Sequence, residues 1–225
     1  MCLVVFLLGT ILWIGRSSRP WLQHLFLLFL ALLVSLFWMA VFFPALMSND
    51  SLYQWEQALT NEYTARHPPA TAMLMHLSQY ITTSPALFAL IQGWTFWSAI
   101  FCVLLMVMPS TRLWLIACLV MLCNPALWTY TSVLWKDVWT AAFAILSVPF
   151  LVKAVEFRSS RHLLWAAASI ALATCFRSNA ATMALAPVLV GVRWVWQRYR
   201  IWRKAIGTIV ILLIIAVPSR LFNAL

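Results

Sequence analysis

Three short polar stretches interrupt an otherwise apolar chain, and each carries ionisable side chains beside a long apolar segment. Asp50 follows the segment Trp21–Phe43, Lys136 and Asp137 lie between two later segments, and Arg177 follows a third. A charge at membrane depth is costly unless it is paired or lines a water-filled cavity. We therefore treat these side chains as functional candidates and expect them to line one outward-facing cavity.

Each of these residues also has a purely structural interpretation, which the sequence leaves open. Lys136 and Asp137 are adjacent, and they suit a solvated pair at a helix start, where an acidic residue favours the helix dipole. Arg177 suits an interfacial anchor that extends to lipid phosphate. Asp50 suits the N-cap of a helix that begins at Ser51, which is compatible with a catalytic role.

Aromatic and acidic side chains crowd the same polar stretches. Glu56 and Glu62 fit the water-exposed face of a short helix, and they add to Asp50 in the first stretch. Trp and Tyr residues form belts at membrane interfaces, but their faces can also stack on sugar rings. The aromatic residues on this side are Tyr53, Trp55, Tyr63, Trp94, Trp128, Tyr130, Trp135 and Trp139.

The composition identifies the class of protein that must position these groups. Of 225 residues, 64% are hydrophobic and only 9% are charged, with a mean hydropathy of +0.92. Soluble domains are usually about 45–50% apolar and about 25% charged. We therefore predict an all-α polytopic membrane protein. The net charge of +10 does not indicate nucleic-acid binding, because the cations form short clusters between apolar runs.

The apolar runs predict about eight transmembrane helices, at about 20 residues for each span. A further segment, Ala70–Ile81, has apolar residues at helical spacing and predicts an amphipathic helix at the membrane interface, in the first large outer loop. The predicted fourth span is interrupted by Asn124-Pro125. The predicted spans are Met1–Ile14, Trp21–Phe43, Pro85–Met108, Leu113–Trp128, Val138–Val155, Leu163–Phe176, Ala180–Val195 and Ala205–Val217.

The charge distribution orients this topology. With Arg16 and Arg19 on the inside, alternation of the spans brings 11 of the 15 Lys and Arg residues to or near the inner face. Of the five acidic residues, only Glu156 then lies inside. The stretch that carries Asp50 is thus expected to face the periplasm or the cell exterior.

The chain is predicted to form one membrane domain, residues 1–225. It divides into a short N-terminal span (1–20), a core (21–195) and a basic loop with the last span (196–225). The five cysteines lie in or beside apolar segments without metal-ligand spacing, so neither a metal site nor a disulfide framework is predicted.

Taken in order, the polar motifs resemble the outer loops of the GT-C glycosyltransferases, a group that includes protein O-mannosyltransferases and aminoarabinose transferases. An Asp just past the outer end of an early helix opens a polar helical loop, Asp50–Trp55, that runs into Arg66–Pro69. The later motifs Trp135–Asp137 and Phe176–Asn179 are similar to outer-loop motifs of bacterial members. The resemblance extends over about residues 22–195.

The resemblance implies transfer of a sugar from a polyprenyl-phosphate carrier to a glycan or lipid acceptor at the outer membrane face. It implies that Asp50 is the catalytic base, and that Lys136 and Arg177 bind the lipid phosphate. His67 would position the loop or contact substrate. The remaining substrate-binding candidates are Tyr53, Glu56, Asp137 and Asn179. The resemblance assigns no cofactor and no metal.

Members of this group generally have more spans and often a soluble outer domain. The chain is therefore expected to be a truncated member or a half that depends on a partner. A transporter or flippase for lipid-linked sugars, and a non-catalytic subunit, are the alternatives. A transporter should carry polar groups near the bilayer midplane, whereas the charges here cluster at one face.

Overall fold

The computed structural model describes residues 20–64, 68–108 and 110–177, together with Ala180, Thr182 and Leu189. Eight α-helices and no β-strand are found in these residues, so the all-α prediction is confirmed for this part of the chain. The helices are α1 (Pro20–Val41), α2 (Asn49–Thr60), α3 (Ala70–Gln79), α4 (Ala86–Val107), α5 (Thr111–Leu122), α6 (Pro125–Ser132), α7 (Lys136–Glu156) and α8 (Ser160–Phe176).

Three of these helices, α1, α4 and α7, are long and apolar enough to cross a membrane. The pair α5 and α6 makes a fourth span if the two helices are counted as one. The described part of the chain thus has the character of a membrane protein. Helix α8 covers the predicted sixth span in 17 residues. The predicted first and eighth spans, and most of the seventh, lie outside the described residues, so eight spans remains a prediction.

The break predicted at Asn124-Pro125 is a sharp bend between α5 and α6. The two helix axes differ by 66°. Asn124 is the N-cap of α6, and its side-chain oxygen accepts a 3.0 Å hydrogen bond from the backbone N–H of Ala126. Pro125 has no N–H to donate to the preceding turn, so it ends α5 and favours a new helix start.

One core lies between α1, α4, α5 and α7. It is built from large side chains of α4, such as Trp97 and Phe101, which are fully buried against α1 and α5. Helices α1 and α4 approach closely at Gly93, where a Cβ atom would lie 3.3 Å from Ser35 Oγ. The outer faces of the same helices carry exposed apolar side chains, which suits a lipid environment. They include Phe29, Phe37, Ile116 and Val120.

A second core joins the polar end of α7 to α2, α3, α4 and α8. The ring of Trp139 in α7 stacks on that of Phe176 at the end of α8, with centroids 5.3 Å apart and planes 8° from parallel. Met75 of α3, Phe88 of α4 and Leu134, just before α7, pack into the same cluster. Burial of these large side chains fixes where the ends of α7 and α8 meet.

The segment predicted to be an amphipathic interfacial helix forms α3. Ala72 and Met75 lie on its protein-facing side and are fully buried. Leu77, also in α3, is 58% exposed, and Ile81, just after the helix, is 79% exposed. Helix α3 packs against α2. An interfacial position for α3 stays a prediction.

Candidate functional site

The segment between α6 and α7 is held in an extended conformation by the loop that follows α1. Leu46 N–H donates to Ser132 O at 3.1 Å, and Leu134 N–H donates to Leu46 O at 3.0 Å, as in a parallel β-bridge. From α4, the fully buried Gln92 donates through Nε2 to Val133 O at 2.8 Å. These bonds satisfy a buried non-helical backbone and fix the start of α7 against the loop that leads to α2.

Ser48, not Asp50, caps helix α2, so the predicted capping role of Asp50 is wrong. Ser48 and Ser51 form a capping box in which each side chain accepts from the other's backbone N–H. The same serines also form hydrogen bonds with the segment between α6 and α7. Trp135 Nε1 donates to Ser48 Oγ at 2.8 Å, and Ser51 Oγ donates to Leu134 O. The capping box therefore also joins the two loops, and Asp50 is left in the first turn of α2 with its carboxylate uninvolved in the box.

A cleft of about 400 Å³ opens between the first turns of α2 and α7. Lys136 Nζ lies 3.7 Å from Asp50 Oδ2 across this cleft. The Lys136 side chain is 16% exposed and that of Asp50 is 57% exposed, so the ammonium group is set into the wall and the carboxylate meets solvent. The residues that line the cleft are Ser48, Asn49, Asp50, Gln54, Leu134, Trp135, Lys136 and Asp137.

Arg177 joins the same group of charges through Asp137. Its Nη1 donates to Asp137 Oδ1 from the end of α8. The stack of Trp139 on Phe176 brings Asp137 and Arg177 together. Trp139 lies two residues after Asp137, and Phe176 directly precedes Arg177. The three separate polar stretches therefore meet at one end of the helices, joined by two ion pairs.

Several predicted binding residues are not brought to the cleft. Tyr53 is absent from its lining, and its hydroxyl is hydrogen bonded to Thr64 Oγ1 at 2.9 Å. Glu56 is exposed on the next turn of α2 and does not line the cleft either. His67 and Asn179 lie outside the described residues.

The sequence-based candidates omitted Gln54, which lines the cleft and is only 1% exposed. Gln54 carries neither a charge nor an aromatic ring, so its residue type alone does not mark it as a candidate. Helical periodicity would have found it, since Gln54 follows Asp50 by four residues and therefore lies on the same face of α2.

The cleft is lined by two carboxylates, Asp50 and Asp137, and one cation, Lys136, and Arg177 adds a second cation behind Asp137. This is a set that can accept a proton and stabilise an anion. The lining of aromatic and amide groups adds hydrogen-bond donors and an apolar wall. Throughout residues 20–64, 68–108 and 110–177, no group of three or more His, Cys, Asp or Glu side chains is arranged to hold a metal ion.

Comparison of the chain with known proteins gave no matching family model, no matching curated protein and no matching solved structure.

Proposed function

We propose that the chain is a glycosyltransferase-like membrane protein that transfers a sugar from a polyprenyl-phosphate donor to an acceptor at the outer membrane face. The observation that supports it is the meeting of Asp50, Lys136 and Asp137 in the lining of one cleft, with Arg177 paired to Asp137 beside it, from three loops far apart in sequence. A carboxylate beside fixed cations is the arrangement that displacement of a phosphate leaving group requires.

Asp50 is the proposed general base. Its carboxylate accepts the proton of an acceptor hydroxyl while that oxygen forms a bond to the anomeric carbon of the donor sugar. The bond between the anomeric carbon and the phosphate oxygen breaks, and the phosphate leaves with the electron pair. The exposure of Asp50 at the cleft mouth, 57% of its side chain, gives an acceptor access to the carboxylate.

Lys136 and Arg177 are the proposed ligands of the lipid phosphate. Hydrogen bonds from charged donors to phosphate are stronger than those between neutral groups, and guanidinium can bind two oxygens at once. In the structure both cations pair with carboxylates, Lys136 with Asp50 and Arg177 with Asp137. Binding of the donor would therefore exchange carboxylate contacts for phosphate contacts at the rim of the cleft.

The polyprenyl tail needs an apolar surface that is continuous with the cleft. The end of α1 and the loop that follows it offer one, because Phe37, Val41 and Phe43 are all more than half exposed and precede the loop that carries Asp50. A chain of isoprene units lying along these side chains would bring its phosphate towards the first turn of α2.

The proposal is tested by transfer of a labelled sugar from polyprenyl-phosphate donors in membranes that contain the protein. Wild-type transfer that is lost in Asp50→Asn supports the proposed base. An inserted, folded wild type that transfers no sugar contradicts the proposal and favours a non-catalytic subunit.

A further inference from the structure

Gln54 is a buried polar residue in the wall of the cleft, and its amide nitrogen has no hydrogen-bond acceptor among the described residues. The residue is 1% exposed. A buried amide group without a partner costs about 1–3 kcal/mol. A cost of this size at a cleft-lining position points to a partner that is a bound ligand.

The other two buried glutamines differ from Gln54 in this respect. Gln57, three residues later on α2, donates through Nε2 to Thr64 Oγ1 at 2.7 Å. Gln92 donates through Nε2 to Val133 O at 2.8 Å. Neither residue lines the cleft. Gln79 of α3 also has a buried Nε2 without a partner among the described residues, but it does not line the cleft either, whereas Gln54 does.

We propose, on the basis of the proposed function, that Gln54 binds a hydroxyl group of the donor sugar and selects the sugar that is transferred. A neutral amide matches a hydroxyl, because Nε2 donates to the hydroxyl oxygen without requiring a charged ligand. The phosphate has its own partners in Lys136 and Arg177. The indole of Trp135, which also lines the cleft, provides an aromatic wall beside the amide.

The burial of Gln54 makes this contact a source of specificity. A sugar that lacks the hydroxyl leaves Nε2 buried and unpaired, and a site built to bind a hydroxyl discriminates strongly against analogues without it. Asp50 lies one turn earlier on the same face of α2 and is far more exposed. The proposed base, Asp50, and the proposed sugar-binding amide, Gln54, therefore lie on one helix, which fixes the distance between them.

The test compares two kinds of probe bound to the full chain in lipid nanodiscs. One is a panel of polyprenyl phosphates that each carry a single hexose or pentose, and the other is the same polyprenyl phosphate without a sugar. Gln54→Met keeps the length of the side chain and removes its hydrogen bonds. Gln57→Met is the matched control, a buried glutamine of the same helix that does not line the cleft and that donates to Thr64 Oγ1 instead.

Gln54→Met is expected to weaken binding of the preferred sugar-bearing probe about tenfold, the effect of losing one good hydrogen bond, and to leave binding of the bare phosphate unchanged. Gln57→Met is expected to leave the ratio of the two affinities unchanged. Gln54→Met should also unfold at no lower temperature than the wild type, because no internal bond is lost.

Three results with Gln54→Met would overturn the inference. They are an unchanged affinity ratio in Gln54→Met, an equal loss for both probes, and a Gln54→Met protein that fails to fold. Wild-type protein that binds both probes equally also contradicts it, but leaves the proposed transfer to be decided by Asp50→Asn. Wild-type protein that binds neither probe contradicts the proposed function itself, and the inference with it.

Discussion

Lys136 Nζ lies 3.7 Å from Asp50 Oδ2, although the two residues belong to different loops and to the first turns of different helices. The pair is partly exposed, and exposed ion pairs contribute only about 0–1 kcal/mol to stability. Stability is therefore a weak explanation for this contact. Its position in a cleft that also contains Asp137 and Gln54 suits a binding site better.

Ser48→Ala is expected to lower sugar transfer more than it lowers stability. The substitution removes the cap of α2 and the acceptor for Trp135 Nε1, so the first turn that carries Asp50 loses one of its two side-chain hydrogen bonds to the start of α7, and only that of Ser51 to Leu134 remains. Loss of a cap typically costs about 1 kcal/mol. Transfer rates and the midpoint of unfolding in detergent are the two measurements.

Ser110→Ala is the matched control for this prediction. Ser110 caps α5 through a bond from Leu113 N–H, and it does not line the cleft. We expect a similar loss of stability and normal transfer. Equal losses of transfer in the two variants would mean that Ser48 acts only as a helix cap.

The positions of the helices could be predicted from the sequence to within a few residues where apolar runs have clear ends. The predicted span Pro85–Met108 corresponds to α4, Ala86–Val107, and Val138–Val155 to α7, Lys136–Glu156. The break at Asn124-Pro125 was predictable because proline lacks the N–H that continues a helix. The start of α2 was misplaced because Ser51, which completes the box with Ser48, replaces the Glu or Gln usual at that position.

The partners within the cleft could not be predicted from the sequence. Lys136 and Asp137 are adjacent, and one interpretation paired them with each other. Successive residues of a helix point about 100° apart, so in α7 the first reaches Asp50 and the second reaches Arg177. Which partner each one meets depends on how α7 packs against α2 and α8, which is tertiary information.

Arg177→Met is expected to weaken binding of polyprenyl phosphate about tenfold, with or without a sugar, because a charged hydrogen bond to phosphate contributes about 1.5–3 kcal/mol. Binding to protein in nanodiscs measures the effect. Arg161→Met is the control, since Arg161 is an exposed cation in the first turn at the opposite end of α8. Equal affinities for phosphate in the two variants would contradict the assignment of Arg177.

Trp139→Ala is expected to destabilise the protein by about 3–5 kcal/mol, as loss of a large buried aromatic side chain does. Trp139→Phe should be close to neutral. The phenyl ring can keep the stack on Phe176, and the indole Nε1, which has no partner among the described residues, is removed. Unfolding in detergent measures both. A Phe variant as unstable as the Ala variant would show that stacking on Phe176 is not what holds the end of α8.

In the proposed mechanism, the Asp50 carboxylate takes the proton of the acceptor. Asp50→Asn keeps the size of the side chain, and the capping box of Ser48 and Ser51 keeps the helix start, so the variant should fold normally. Glu62→Gln is the control, because it removes an exposed carboxylate from the same polar stretch.

The most direct measurement is the rate of sugar transfer from labelled polyprenyl-phosphate donors by wild type, Asp50→Asn and Glu62→Gln in membranes. We expect at least a hundredfold loss in Asp50→Asn, within the range of about 10²–10⁴ for a general base, and normal transfer in Glu62→Gln. Transfer by Asp50→Asn at the wild-type rate would contradict it.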